Sequence, residues 1–225
     1  MEHILVKISI MLVPALLAVT VHEVSHGYAA DRLGDPTARL LGRLTLNPLR
    51  HLDPVGTLAL LFVGFGWARP VPVNFSNLRN PKKSMLWVAL AGPAANFCLA
   101  ILSAIVLQAV GFIDSALPLN MTAVTKPLAM MAAFSLYINV ILAVFNLMPI
   151  PPLDGGRVLT ALLPARQAAL LSRLEPFGFM IVIALVFFTK FWQLILGPII
   201  ISVVSLLANQ QIVVVNDVIQ FLFSR

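Results

Sequence analysis

His22 and His26 stand four residues apart with Glu23 between them, in the stretch TVHEVSHGYAAD that spans residues 20–31. On a helix, positions i and i+4 share a face, so two imidazoles at this spacing can hold one metal ion. Glu23 lies about 100° further round the helix, near such an ion without ligating it. In this H-E-x-x-H arrangement zinc polarises water and the substrate carbonyl, and the glutamate takes the water's proton. Drawing the pattern at random from this chain's own few histidines and glutamates has a probability of roughly one in a thousand.

A catalytic zinc usually takes three protein ligands and keeps one position open. A third histidine six residues after His26 is ruled out, because that position is Arg32. The only other glutamates are Glu2 and Glu175, the latter in a basic connector. His51, Asp31, Asp35, Asp53 and Asp154 remain. Asp154 is favoured by its setting in NLMPIPPLDGGRV, where Pro149, Pro151 and Pro152 must break a helix at or near membrane depth. Irregular backbone there is tolerated only where it is buried in protein or lines a wet cavity. The plainer reading of Asp154 is an N-cap for a helix starting at Gly155. His51 comes next, although LRHLDPVG has the look of a polar loop.

The elements that must position these residues are apolar. The chain has 225 residues, 60% hydrophobic and 11% charged, far from the usual globular mix. Runs at Ile4–Ala30, Met85–Phe112 and Leu128–Met148 each reach the roughly 20 residues needed to cross a bilayer. Phe177–Thr189 and Phe191–Leu207 read as one long tilted helix or a broken pair. Between the first two spans the chain is rich in Gly, Pro, Asn and Arg. There ARLLGRLTL, around Ala38 to Leu46, and RPVPVNF, Arg69 to Phe75, suggest strands, and DPVGTLALLFVGFGW suggests a re-entrant or interfacial segment. The fold expected is therefore an all-α polytopic membrane protein of four to five transmembrane helices, with a small β-strand and re-entrant element between the first two. It is read as a single integral-membrane domain over residues 1–225, with a core at 4–160 and C-terminal helices at 177–223. The N-terminus lacks a basic lead and an A-x-A site and is not read as a cleaved signal peptide.

The net charge of +6 does not indicate nucleic acid, since the basic residues are scattered singly between apolar runs. They serve better as topology signals. Arg32, Arg39, Arg43, Arg50, Arg69, Arg79, Lys82 and Lys83 follow the first span, and Arg157, Arg166 and Arg173 follow the third. These eleven of fifteen, against Lys7 and Lys126 on the opposite side, predict an outside N-terminus and a site near the cytoplasmic face. One cysteine, Cys98, excludes an intramolecular disulfide and a Cys-pair zinc site. Ionisable groups within a span cost about 2.5–3.5 kcal/mol each near the bilayer centre, which favours function over packing for His22, Glu23 and His26.

HEVSH on one span together with NLMPIPPLDGG at the end of another closely resembles the site-2 protease family, intramembrane zinc metalloproteases that cleave transmembrane segments of other proteins. LNPLRHLDP, GWARPVPVN and AGPAAN extend the resemblance over Val13 to Arg157. It implies His22, His26 and Asp154 as ligands of one zinc ion, Glu23 as catalytic acid/base, and Asn96 and Asn146 as polar groups near the substrate. The partners it implies are a membrane protein with a transmembrane helix and the lipid bilayer, in a prokaryotic cell membrane; self-association into a homo-oligomer is left open. The chain carries no tract of the size of the peptide-binding or nucleotide-sensing domains seen in some relatives, so it looks like a compact form. Two other readings compete: a membrane metal transporter or sensor, whose polar residues would line a path through both leaflets, and an inactive relative that binds transmembrane helices without cutting them.

Overall fold

The computed structural model describes residues 2–63, 66–116 and 122–223. Its elements, in order, are α1 (Glu2–Arg32), α2 (Thr37–Leu40), α3 (Pro54–Val63), α4 (Pro81–Ala116), α5 (Thr122–Asn146), α6 (Asp154–Leu162), α7 (Ala165–Ser172), α8 (Glu175–Phe188), α9 (Gly197–Ala208) and α10 (Ile212–Phe223). Among the described residues four stretches are helices long and apolar enough to cross a membrane: Leu5–Arg32, Pro81–Ala116, Ala123–Asn146 and Trp192–Phe223. The pair α7 and α8, bent by 66°, would make a fifth if it counts as one broken span. The chain is thus a multi-pass, all-α membrane protein, with the span number the apolar runs predict.

The chain forms two compact units, interleaved along the sequence. Met1–Ala18, Asn96–Val144 and Trp192–Arg225 make the first; Val19–Ala95 and Phe145–Phe191 make the second. The first unit packs mainly through small and β-branched side chains: Ala18, Ala100, Ala104, Ala133, Val140, Ala143, Val204, Ala208 and Val215 are all buried. In lipid there is no hydrophobic drive between helices, so close backbone approach over small residues takes its place. Some large apolar side chains, such as Leu107, Leu136 and Leu196, fill the interior, and many others point outward, as with Leu206 at 80% exposure, which suits hydrocarbon as solvent.

Several buried polar groups of the first unit pair within it. Asn96, wholly buried, donates from Nδ2 to Ala18 O (3.2 Å) and to Asn139 Oδ1 (2.8 Å). Asn139 donates to Ser135 O (2.9 Å), and Ser103 Oγ meets Ser135 Oγ at 2.8 Å. This ladder joins α1, α4 and α5.

The expected β element is not there. Among the described residues there is no sheet, only one isolated antiparallel bridge, Leu52 with Ala68. Ala38 sits in the helical turn of α2, and the chain then reverses at Gly42, whose φ of +63° a side-chain-bearing residue rarely adopts. Pro70 and Pro72 have no N–H to give to a ladder, so the Pro–Val alternation mimics the period of a strand without being able to pair as one. The re-entrant expectation gives way to α3, ten helical residues long; Gly64 and Phe65 lie outside the described residues.

Candidate metal centre

All the parts of the centre belong to the second unit. Helix α1 carries His22 and His26 with ring centroids 4.6 Å apart. His26 Nδ1 lies 2.7 Å from the Val88 carbonyl of α4. A carbonyl can only accept, so Nδ1 carries the proton and Nε2 turns its lone pair inward. One turn on, Gly92 gives the imidazoles room: a Cβ there would stand 2.4 Å from His26 Nε2 and 2.7 Å from His22 Cε1. Val88 and Gly92, four apart on α4, therefore face the histidine pair together. The small AGP stretch serves close packing against the centre.

Asp154 arrives from the other half of the sequence. Its helix begins at Asp154 itself, with Leu153 in the N-cap position, so the carboxylate is not the cap. The following glycines are set by contact. A Cβ on Gly155 would lie 2.1 Å from Leu147 O, and one on Gly156 would lie 2.4 Å from Pro151 N. The Leu147–Pro152 backbone folds directly onto the start of α6, and only glycine leaves it space.

The three inward atoms form a near-equilateral triangle. His22 Nε2 to Asp154 Oδ2 is 3.2 Å, His26 Nε2 to the same oxygen 3.3 Å, and His22 Nε2 to His26 Nε2 3.1 Å. A tetrahedral ion bound at about 2.0–2.1 Å has ligand-to-ligand edges of about 3.3 Å, so the triangle has the size of one face of a zinc coordination sphere. Asp154 Oδ2 is buried without a hydrogen bond of sound geometry, although two imidazole nitrogens stand beside it. Two imidazole nitrogens and a carboxylate oxygen converging on one point make a group that could hold a metal ion. Among the described residues these three are the group of His, Cys, Asp and Glu able to hold a metal ion.

Glu23 is half-buried, and its Oε2 accepts the backbone N–H of Val71 at 2.9 Å. The other ligand candidates have separate work. His51, 1% exposed, pairs through Nε2 with Thr45 O at 2.8 Å. Asp31 meets Arg39 Nε at 3.0 Å, and Asp53 caps α3 through Gly56 N–H at 2.8 Å. Asp35, wholly buried, accepts from Thr37, Asn74 and Asn77. Burial alone would raise the Asp35 pKa, but these donors outweigh it and hold the carboxyl below its ordinary value.

A profile of peptidase family M50 matches residues 10–124 and 108–189. The chain is 38% identical over 198 residues to YwhC of Bacillus subtilis, which covers 84% of each chain. This chain belongs to peptidase family M50, the site-2 protease family. It is also 36% identical to Rip2 of Mycolicibacterium smegmatis over 76% of its own length, and 27% identical to a protein of Methanocaldococcus jannaschii over 73%. All three relatives are assigned by name to the zinc metalloproteases. The M50 chain spans less than two thirds of two of them, 63% of Rip2 and 37% of the archaeal protein. No solved structure shows a significant match.

His22, Glu23 and His26 lie on α1 and Asp154 at the head of α6. Asn146 ends α5, half-buried, in the same unit as the centre, whereas Asn96 belongs to the first unit. The small AGP stretch, Ala91–Pro93, suits either close helix packing or a substrate passage by sequence, and Gly92 lies close-packed against the histidines. Val88 and Val71 have no residue-type signature, because they act through a carbonyl and an amide.

Proposed function

We propose that this M50 protein is a zinc-dependent endopeptidase that hydrolyses peptide bonds within or near transmembrane segments of membrane-protein substrates. The observation that carries the reading is the triangle of His22, His26 and Asp154 with Glu23 beside it. Its size suits zinc, and the relatives' names point to the same metal. In this reading the three residues hold one zinc ion. Zinc supplies a Lewis acid for the scissile carbonyl and the attacking water.

The remaining work falls to the chain. Asp154 offsets the metal's charge, and Val88 keeps His26 in the ligating tautomer. The Glu23 carboxylate takes the proton of the attacking water and hands it to the leaving amine. A substrate helix must unwind before its carbonyl can be reached, and the freed amides need partners in a place that lipid cannot supply. We assign Asn146 to that task. For Asn96, whose two amide hydrogens are engaged with Ala18 and Asn139, we assign helix packing.

The basic residues after the first and third spans support a site near the cytoplasmic face and an outside N-terminus. Bacterial and archaeal relatives support a prokaryotic cell membrane. A transporter is less well supported: among the described residues there is a single ligand cluster, not a path. The deciding experiment incubates the detergent-purified protein with a model transmembrane peptide while metal content is measured. One zinc per chain with cleavage that Glu23→Gln abolishes fits the proposal. Zinc flux in liposomes without any cleavage contradicts it.

A further inference from the structure

The stretch Arg69–Asn77 crosses α1 at the turn that carries Glu23. It is tied at both ends. Arg43, buried, donates from Nη2 to Arg69 O at 3.0 Å and Pro70 O at 3.3 Å, and Arg69 N–H donates to His51 O at 2.8 Å. At the far end Asp35 accepts Asn74 N–H at 2.7 Å and Asn77 Nδ2 at 2.9 Å. Between the ties Val71 presses onto Gly27, where a Cβ would stand 2.7 Å from Val71 Cγ1. Gly27 lies one helical turn after Glu23 and admits the strap to that face. Pro70 and Pro72 have no amide hydrogen, so within Pro70–Val71–Pro72 the backbone owns a single donor, and it is spent on Glu23 Oε2 at 2.9 Å.

We propose that Val71 is a positioning residue for the general base: its backbone N–H, held by the Arg43 and Asp35 ties, fixes one oxygen of Glu23 and leaves the other for the water that attacks. A glutamate side chain has three rotatable bonds, and a carboxylate that wanders by an ångström loses reach of its proton. The strap removes that freedom before substrate arrives. This inference rests on the protease reading for its kinetic consequence, but not for its structural one.

The structural arm is amide exchange on the full-length protein in detergent. Peptides covering 70–72 report one exchangeable backbone hydrogen. That hydrogen is expected to be protected in the wild type and to exchange at least about tenfold faster in Glu23→Ala, with zinc present or chelated. Equal exchange in the two proteins overturns the proposal, whatever the protein's activity. The kinetic arm compares Val71→Pro, which deletes the donor, with Val71→Ala, which restores it. Residues before proline already prefer extended backbone, so the proline is compatible with the local chain. Val71→Pro is expected to lower kcat about 10- to 100-fold, with KM within about twofold and zinc content unchanged. Val71→Ala recovers most of that loss. If the proline variant fails to fold, Arg43→Gln loosens the strap from outside, and kcat should fall at constant KM. A rise in KM instead, or an equal loss in the proline and alanine variants, assigns Val71 to substrate contact or packing and overturns positioning. Wild-type protein that protects Val71 but cleaves nothing sinks the protease reading and leaves the contact standing.

Discussion

Gly92→Ala tests how tightly α4 frames the metal centre. The added Cβ would sit 2.4 Å from His26 Nε2, 2.6 Å from His26 Cε1 and 2.7 Å from His22 Cε1. Ordinary contacts between such atoms are about 3.5 Å, so roughly 1 Å must be found. His26 cannot swing away freely, because Val88 O holds its Nδ1 at 2.7 Å from the same helix. Zinc sites tolerate about 0.2 Å in ligand distances. The expected result is zinc binding weakened by at least about 10- to 100-fold, with turnover falling about 100-fold or more where zinc is forced in. The assay is chelator competition read by metal mass spectrometry on protein in micelles. Ala94→Val, on the exposed side of the same helical turn, serves as control. The sign of the stability change adds a second readout. Without a clash, Ala in place of Gly within a helix stabilises by about 1 kcal/mol, whereas overpacking costs about 1–3 kcal/mol. A Gly92→Ala protein that is more stable and keeps wild-type zinc affinity would mean that α4 does not frame the centre tightly.

Other expectations follow from the same contacts. Glu23→Gln should keep one zinc per chain and lose hydrolysis by at least about 100-fold in an end-point peptide assay. Asp154→Ala should lower zinc retention after dialysis, while His51→Ala should leave retention intact and weaken the loop after α2, seen as faster proteolysis. Gly155→Ala should lower the yield of folded protein on size exclusion, because its Cβ meets backbone at 2.1 Å. The folded pKa of Asp35 lies below its unfolded value of about 3.9, so its contribution to stability is complete above that value and lost as pH falls through the folded one. Unfolding followed from about pH 6 down to pH 3 should show this acid limb, and Asp35→Asn should flatten it while costing about 2–4 kcal/mol at neutral pH.

The candidate site was legible where it depends on residue type and fixed spacing. His22, Glu23 and His26 are carried by one helix, so their geometry is local and readable. The third candidate ligand was harder: the proline-broken setting of Asp154 favours it over His51, Asp35 and Asp53, and packing adds that each of the others has a separate partner. The spans were readable from apolar length, since hydrocarbon forces backbone groups to pair within a helix. The segment between the first two spans resembles strands because Pro–Val alternation imitates a two-residue period, while proline removes the donors a sheet needs. Val88, Gly92 and Val71 lie 48 to 70 residues from the motif they support, and their contributions become visible only once α4 and the strap are laid against α1.

The most direct test is to locate the metal itself, by diffraction from crystals of the zinc-loaded protein at wavelengths either side of the zinc edge. One anomalous peak is expected, about 2.0–2.2 Å from His22 Nε2, His26 Nε2 and an Asp154 carboxylate oxygen. A peak ligated by His51 or by a histidine Nδ1, or a zinc site that excludes Asp154, contradicts it.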